Sequence, residues 1–172
     1  RLLEKQMTIH TAYGNSFSDV PAGKWYSNAI GYMEQYNIVR GYPDGTFRPD
    51  APVTRAEFAA IAARFSALKD GVQTNFSDLP DNHWAKGSIE LAYGKGWIGG
   101  YPDGTVRPDQ NITRAEVVAV TNWMLERAGD ANYIAANSES IVHFTDLNNG
   151  YWAYYDIMEA CNAHLYKKAP KK

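Results

Sequence analysis

The chain of 172 residues is 45% apolar and 13% aromatic, which is the composition of a folded domain with a sizeable core. Its 17 basic and 19 acidic side chains nearly cancel, to a formal net charge of -2, and they are spread along the chain, so a nucleic-acid-binding surface is not expected. No apolar run approaches the roughly 18 residues that a membrane-spanning helix needs, and no signal peptide opens the sequence, so membrane insertion is not expected either.

An internal repeat organises the chain. Residues 17–57 overlay residues 76–116 without a gap at an offset of 59, and 19 of these 41 positions are identical. A third copy starts at Phe144, 68 residues after Phe76, and it ends near Tyr166 without the second half of the unit. Repeats of this kind are expected to stack on their neighbours.

Each complete unit carries the signals of two helices, in which apolar side chains recur every three to four residues on one buried face. The first helix opens on a tryptophan, and its predicted buried face contains Trp25, Ala29, Ile30 and Met33, then Trp84, Ile89 and Ala92, then Trp152, Ile157 and Ala160 in the third copy. The second helix follows Thr-Arg-Ala-Glu, and its predicted buried face contains Phe58, Ile61, Ala62 and Phe65, then Val117, Val120 and Met124.

These helices predict an all-α fold, mainly helical with long ordered loops. A unit of about 55 residues cannot bury the apolar faces of two helices alone, so the copies should pack together as one domain. Three equivalent helices around a pseudo-threefold axis are the simplest closed arrangement. The predicted segments are the tail of a preceding unit and a linker at 1–16, a complete repeat at 17–75, a complete repeat and a linker at 76–143, and the first half of a further repeat at 144–172.

Both complete repeats resemble the S-layer homology (SLH) domain family, which is recognised by Phe-x-Asp-Val or Leu, a tryptophan, Gly-Tyr-Pro-Asp-Gly-Thr-Phe-x-Pro and Thr-Arg-Ala-Glu. The matching segments are 17–20 and 76–79, 41–49 and 100–108, and 54–57 and 113–116. The resemblance implies a three-pronged spindle around a central three-helix bundle. It also implies binding of a secondary cell-wall polysaccharide, often bearing pyruvylated N-acetylmannosamine, or of peptidoglycan-linked groups. Because the third copy lacks two of these segments, at least one of three expected grooves should be incomplete.

Thr-Arg-Ala-Glu fits the capping box, in which threonine and glutamate satisfy each other's backbone amides at the start of a helix. The predicted capping residues are Thr54, Glu57, Thr113 and Glu116. Capping does not explain Arg55 and Arg114, which fall at the first helical position beside free amides. A bidentate guanidinium there would suit a ligand carboxylate, and a surface ion pair is the alternative interpretation.

The Gly-Tyr-Pro-Asp-Gly-Thr segments indicate turns, in which proline fixes φ and glycine supplies a positive φ. Gly45 and Gly104 would also let a ligand approach the backbone closely. Tyr42 and Tyr101 are equally compatible with packing under the turn and with presenting a flat face to a sugar ring.

Three tryptophans recur at the start of the first helix, at Trp25, Trp84 and Trp152. Packing in the core or between repeats is the default interpretation for large aromatic side chains. Indole faces also stack on the apolar side of sugars, so a partly exposed position between repeats would serve both purposes. We therefore include these tryptophans among the candidate ligand-binding residues.

No enzymatic or metal chemistry is expected. The recurring carboxylates have turn or cap explanations, and no nucleophile elbow, phosphate loop or dinucleotide motif occurs. The four histidines do not recur at a common repeat position, and an EF-hand pattern is missing from Asp44 to Asp50, so neither a metal ion nor another cofactor is predicted. Cys161 is the only cysteine, which excludes a disulfide within the chain and is typical of a small buried residue.

The resulting hypothesis is a non-catalytic module at the bacterial cell surface, in the cell wall or S-layer. It would anchor a secreted protein by binding an anionic cell-wall polysaccharide or peptidoglycan-linked glycan in grooves between repeats. Two alternatives are a structural or protein-interaction repeat domain without glycan binding, and a wall-glycan hydrolase with an exposed carboxylate pair. The sequence leaves the glycan and the oligomeric state open.

Overall fold

A computed structural model describes residues 12–66, 72–162 and 167–168. Within these ranges the chain is mostly helical, which confirms the predicted all-α class. The helices are α1 Ser27–Gln35, α2 Arg55–Phe65, α3 Lys86–Gly94, α4 Arg114–Met124, α5 Ala131–Ala136 and α6 Tyr154–Cys161. Most of the predicted tail of a preceding unit, at 1–16, lies outside the described residues.

The capping boxes place the starts of α2 and α4 where the sequence predicts them. The Thr54 hydroxyl accepts the N–H of Glu57, and the Glu57 carboxylate accepts the N–H of Thr54 at 2.8 Å. Thr113 and Glu116 form the same reciprocal pair, also with a bond of 2.8 Å. Each pair satisfies two of the amides that a helix start leaves unbonded, and each helix then runs for 11 residues.

The tryptophan-led helices begin later than predicted. Helices α1, α3 and α6 each start two residues after the tryptophan, and their N-cap residues form no side-chain capping bond. A backbone turn leads into each helix instead, with the N–H of Ser27, Lys86 and Tyr154 donating to the carbonyl three residues earlier. The tryptophans therefore lie in this turn rather than on the helix, and the prediction that they open the helix is wrong.

Two compact units divide the chain, at residues 1–52 and 53–172. The first contains α1 and a small core made of Phe17, Val20 and Ile30, with Tyr26 and Phe47 packed against it. On α1, Ile30 is buried as predicted, whereas Ala29 is exposed and Met33 is half-buried.

The second unit holds the larger core, in which α2 packs against α3 and α4 packs against α6. Buried residues of its main cluster are Ala56, Ala59, Ala62, Leu79, Ala85, Ile89, Ala92, Trp97, Ile98, Val106 and Val120. Because α2 belongs to the first repeat and α3 to the second, the packed pair joins the second helix of one repeat to the first helix of the next. The pair of α4 and α6 follows the same rule.

Polar contacts join α6 to α4 and to the segment that follows α4. The Asn122 side chain donates to the Asp156 carbonyl at 2.8 Å, and Arg127 donates to the Glu159 carbonyl at 2.9 Å. Glu159 is fully buried, although its counterpart in the second repeat is Leu91. The buried face of α6 therefore runs through Met158 and Glu159, and the predictions that Ala160 and Cys161 are buried are wrong, because both are exposed.

Several features outside the repeats were not predicted. Helix α5 lies in the linker after the second repeat and is capped by Asp130, whose side chain accepts two backbone N–H groups. Strand β1, Arg127–Ala128, pairs antiparallel with strand β2, Lys167–Lys168.

Phe65, predicted to be buried on α2, is 45% exposed at the end of that helix, so this prediction is wrong. Among the described residues, none of the helices is both long enough and apolar enough to cross a bilayer.

Candidate functional site

The two Gly-Tyr-Pro-Asp-Gly-Thr segments form the same turn. In the first, the N–H of Tyr42 donates to the Thr46 carbonyl at 2.7 Å, and the Asp44 carboxylate accepts the N–H and the hydroxyl of Thr46 at 3.0 and 2.6 Å. Asp103 accepts the equivalent pair of bonds in the second turn, at 3.1 and 2.6 Å. These side-chain bonds hold the turn closed without help from a helix or a sheet.

The predicted turn glycines adopt a left-handed backbone conformation, with φ of +80° at Gly45 and +78° at Gly104. A Cβ atom at either position would meet nothing within 4 Å, so there is space for a side chain. Glycine is favoured at these positions because of the positive φ angle, and not because of crowding. Both glycines are exposed, which leaves the backbone of the turn open to a ligand.

An arginine that the sequence analysis missed covers each turn. The Arg48 guanidinium lies 4.0 Å from the centre of the Tyr42 ring and donates to Asp44 at 2.8 Å. Arg107 lies 3.8 Å from the centre of the Tyr101 ring and makes the equivalent ion pair at 2.9 Å. The half-buried tyrosines therefore stack under a cation, at a distance typical of a cation–π contact. The signal for these arginines was their recurrence two residues after the turn threonine.

The turn carboxylates are strongly acidic. Hydrogen bonds from the side chains of Thr46 and Arg48 lower the pKa of Asp44 to about 2. The equivalent threonine and arginine lower the pKa of Asp103 to about 2 in the same way. Both turns therefore keep their ion pairs well into the acid range.

Arg55 is buried, with 6% of its surface exposed. Its guanidinium donates to the carbonyls of Val106 and Gly99, both at 2.9 Å, and to the carboxylate of Glu116 at 2.5 Å. It also lies 5.1 Å from the centre of the Tyr101 ring. The structure thus brings the predicted site residues Arg55 and Tyr101 together. It also places Arg55 in an ion pair with Glu116, which joins one repeat to the next.

Arg114 occupies the equivalent position at the start of α4 in a different environment. It is exposed and, among the described residues, makes no hydrogen bond or ion pair. Arg55, by contrast, is held by the carbonyls of Gly99 and Val106, which belong to the turn region of the next repeat. The Arg114 guanidinium lies exposed at a helix N-terminus, next to the first backbone amides.

The three repeat tryptophans are exposed, which disagrees with their default interpretation as core residues. The exposed fractions are 91% for Trp25, 62% for Trp84 and 58% for Trp152. Trp84 stacks on His83 with ring centres 5.9 Å apart, so part of its indole surface is covered and the remainder faces solvent. Such exposure at three equivalent positions indicates a recurring surface feature.

A metal site is not evident in the described ranges 12–66, 72–162 and 167–168. No group of three or more histidine, cysteine, aspartate or glutamate side chains lies close enough together there to hold an ion.

Comparison with known proteins adds a family match. The profile of the S-layer homology domain matches residues 16–59 and 75–118, together half of the chain. A cellulosome-anchoring protein of Acetivibrio thermocellus is 42% identical over 158 residues, which cover 88% of this chain and 34% of that protein. Cell surface glycoprotein 1 of the same organism is 37% identical over 96% of this chain and 8% of its own length. An endo-1,4-beta-xylanase A of Thermoanaerobacterium saccharolyticum is 37% identical over 60% of this chain and 9% of its own length. The chain thus spans about a third of the first relative and under a tenth of the other two.

Proposed function

Because this chain belongs to the S-layer homology domain family, we propose that it holds a larger protein on the surface of a bacterial cell and is not itself an enzyme. Similarity to proteins named for anchoring and for the cell surface supports this function. The match to a xylanase over only 9% of that enzyme's length supports an accessory role for the shared segment.

The observation that carries the proposal is the exposure of Trp25, Trp84 and Trp152 at equivalent positions. A single exposed apolar side chain is common on protein surfaces, but here the same exposure recurs at three equivalent positions, which supports a shared role for these side chains in binding. The flat, apolar face of an indole fits the C–H face of a sugar ring, while the indole N–H can bind a hydroxyl. The partner we propose is a cell-wall polysaccharide or a peptidoglycan-linked glycan.

If this glycan is anionic, we propose that Arg114 binds its negative charge. This side chain is exposed at the start of an 11-residue helix, where the macrodipole and the first amides also favour an anion. A carboxylate can bind two N–H groups of one guanidinium, so a glycan that carries carboxylates is preferred. Arg55 stays a predicted ligand contact, through the two N–H groups that its three internal acceptors leave.

Within each compact unit, the exposed turn adds further proposed contacts. Gly45 and Gly104 open the backbone to a ligand, and each tyrosine of the pair Tyr42 and Tyr101 lies beneath an arginine. Several weak contacts along one polymer would together give firm retention, because the first contact raises the effective concentration for the next.

The test is co-sedimentation of the chain with purified cell walls, before and after extraction of their secondary polysaccharide. We expect binding to intact walls, loss of binding after extraction, and a loss of at least about tenfold in affinity for Trp84→Ala combined with Arg114→Ala. Matched controls are Tyr36→Ala and Arg40→Ala, which remove an exposed aromatic ring and an exposed cation outside the site.

Undiminished binding by the folded double variant would remove these residues from the site. No binding of the wild-type chain to intact walls would favour a structural or protein-interaction domain instead. In such a domain Arg55 would serve only to join two repeats through its ion pair with Glu116. Release of sugars from the walls would point to a hydrolase.

A further inference from the structure

The three repeat tryptophans follow different residues, and only the second follows a histidine. The pairs of neighbours are Lys24–Trp25, His83–Trp84 and Tyr151–Trp152. The preceding residues have no role in the site described above. The side chain beside an exposed indole affects how freely that ring turns and which polar groups lie next to it, so the tryptophans are not equivalent binding surfaces.

His83 packs beside the Trp84 indole. The two ring centres are 5.9 Å apart and the ring planes are inclined by only 28°, which is the geometry of an offset stack. Trp84 is 62% exposed, so part of the indole lies against the imidazole and the rest faces solvent. A ring that already packs on a neighbour has less rotational freedom to lose when a ligand binds it.

The imidazole is itself fixed, because His83 bonds to the backbone of its own turn. The Ala85 N–H donates to His83 Nδ1 at 3.2 Å. The backbone N–H of His83 donates to the Pro80 carbonyl at 2.9 Å, and the His83 carbonyl accepts the N–H of Lys86 at 3.0 Å. These bonds lie in the turn that leads into α3, so the imidazole is a firm support for the indole next to it.

The bond to Nδ1 also determines where the proton of the neutral imidazole lies. Because Nδ1 accepts a backbone N–H, the proton is on Nε2. Among the described residues, no acceptor bonds to Nε2 of His83, which is half-buried. An N–H donor therefore lies beside the exposed part of the Trp84 indole.

The first repeat lacks this arrangement. Lys24 has no ring to stack on Trp25, and the ring contact of Trp25 within the described residues is an edge contact with Tyr26, at 5.4 Å and 75°. Trp25 is 91% exposed, compared with 62% for Trp84. The two tryptophans occupy the same position of the repeat, so the difference in exposure accompanies the difference in the preceding residue.

We propose that His83 and Trp84 form one sugar-binding unit, in which His83 holds the indole in place and donates from Nε2 to a hydroxyl group of the sugar that lies on the indole. The ligand rests on the proposed function and is a ring of the cell-wall glycan. The nearby charges of Lys86 and Asp81 pair with each other at 2.6 Å, so the unit favours an uncharged ring. Because its indole is preorganised, Trp84 should bind a sugar more tightly than Trp25 does.

The first test measures the indoles without a ligand. The heteronuclear nuclear Overhauser effect of each indole Nε1–H reports the motion of the ring on the ps–ns timescale. We expect Trp84 to be more restricted than Trp25. Exchanging the preceding residues should exchange this order, because His83→Lys should free the Trp84 indole and Lys24→His should restrict the Trp25 indole. Equal mobility of the two wild-type indoles, or a Trp84 indole unchanged by His83→Lys, would overturn the proposal.

The second test titrates the chain with the polysaccharide extracted from cell walls and follows the Trp84 indole signal by NMR. We expect a saturable shift, and binding at this signal should be about tenfold weaker in His83→Lys, which loses both the support and the Nε2 donor. His83→Phe keeps a ring beside the indole but has no N–H donor. It should therefore keep the restricted indole and still bind about threefold more weakly.

The matched control is His143→Lys, which makes the same replacement at an exposed histidine and should change neither the Trp84 indole nor its binding. Equal polysaccharide binding at the Trp84 signal in the wild type and in His83→Lys would overturn this inference and leave the proposed function standing. Polysaccharide binding that survives Trp84→Ala undiminished would overturn the inference together with the proposed role of this tryptophan in the function.

Discussion

Arg55 and Arg114 occupy the same position of the repeat, yet one is buried and the other is exposed. Sequence reasoning placed both at the first helical position correctly, because a capping box is local. It could not place the partners of Arg55, since Gly99, Val106 and Glu116 reach it only through the packing of the next repeat. Within the described residues, the two equivalent arginines therefore differ in burial and in their hydrogen-bond partners.

This difference predicts unequal effects of the same substitution. Arg55→Ala should lower the free energy of unfolding by about 3 kcal/mol, because it leaves the Glu116 carboxylate partly buried without its cation. Arg114→Ala should change it by less than about 0.5 kcal/mol, since the side chain is exposed. Urea denaturation of the two variants checks the prediction, and equal losses would contradict it.

The turn aspartates predict a dependence of stability on acid. The pKa of Asp103 is lowered to about 2 in the fold, from an ordinary value of 3.8, so its stabilising contribution is complete above the ordinary value. It should be lost as the pH falls through about 2. NMR titration of the side-chain carboxyl would measure the pKa, and Asp103→Asn should flatten the decline in stability below about pH 4. A pKa near 3.8 would contradict the ion pair between Asp103 and Arg107.

At the scale of elements, the sequence predicted α2 and α4 closely and the tryptophan-led helices less well. A capping box fixes the first residue of a helix through bonds between neighbours, and both boxes form as predicted. Helices α1, α3 and α6 have no such signal. Their tryptophans fit the apolar spacing of the helix that follows, but they lie in the turn before it, so the predicted helices began two residues too early. Periodicity shows that a helix exists but fixes its ends poorly.

The buried face of α6 shows why periodicity also fails within a helix. Glu159 aligns with a leucine and was not assigned to the core, yet it is fully buried where Arg127 reaches it. A buried carboxylate is recognisable only when its partner is known, and this partner lies beyond the end of α4.

The capping boxes themselves give a prediction. Thr113→Ala should lower the free energy of unfolding by about 1 kcal/mol, because one helix-start amide loses its acceptor, whereas Thr113→Ser should cost only a few tenths. Thermal unfolding followed by circular dichroism compares the two variants. A serine variant as unstable as the alanine variant would show that the methyl group, and not the hydroxyl, stabilises the helix start.

At the scale of the molecule, the sequence repeat and the packed helix pair are out of step. The repeat runs from Phe-x-Asp to the end of the Thr-Arg-Ala-Glu helix, whereas α2 packs on α3 of the next repeat. The boundary between the compact units accordingly falls just before α2, inside the first repeat.

This offset predicts which fragments fold. A fragment of residues 53–172 keeps α2 against α3 and should unfold cooperatively with a helical circular dichroism spectrum. A fragment of residues 76–172, cut at the repeat boundary, exposes the face of α3 that contains Ile89 and Ala92 and should unfold at a lower temperature or without cooperativity. Equal transitions for both fragments would show that α2 is dispensable for this core.

The exposed tryptophans also make the chain its own optical reporter. Of the five indoles, Trp25, Trp84 and Trp152 face water, whereas Trp97 is 8% exposed and Trp123 is half-buried. A collisional quencher such as acrylamide should therefore suppress most of the intrinsic fluorescence of the folded chain and leave a residual, blue-shifted signal from the core. A sugar ring that binds on an exposed indole would shield it from the quencher. Ligand binding could therefore be followed in solution as reduced quenching of tryptophan fluorescence, without a label.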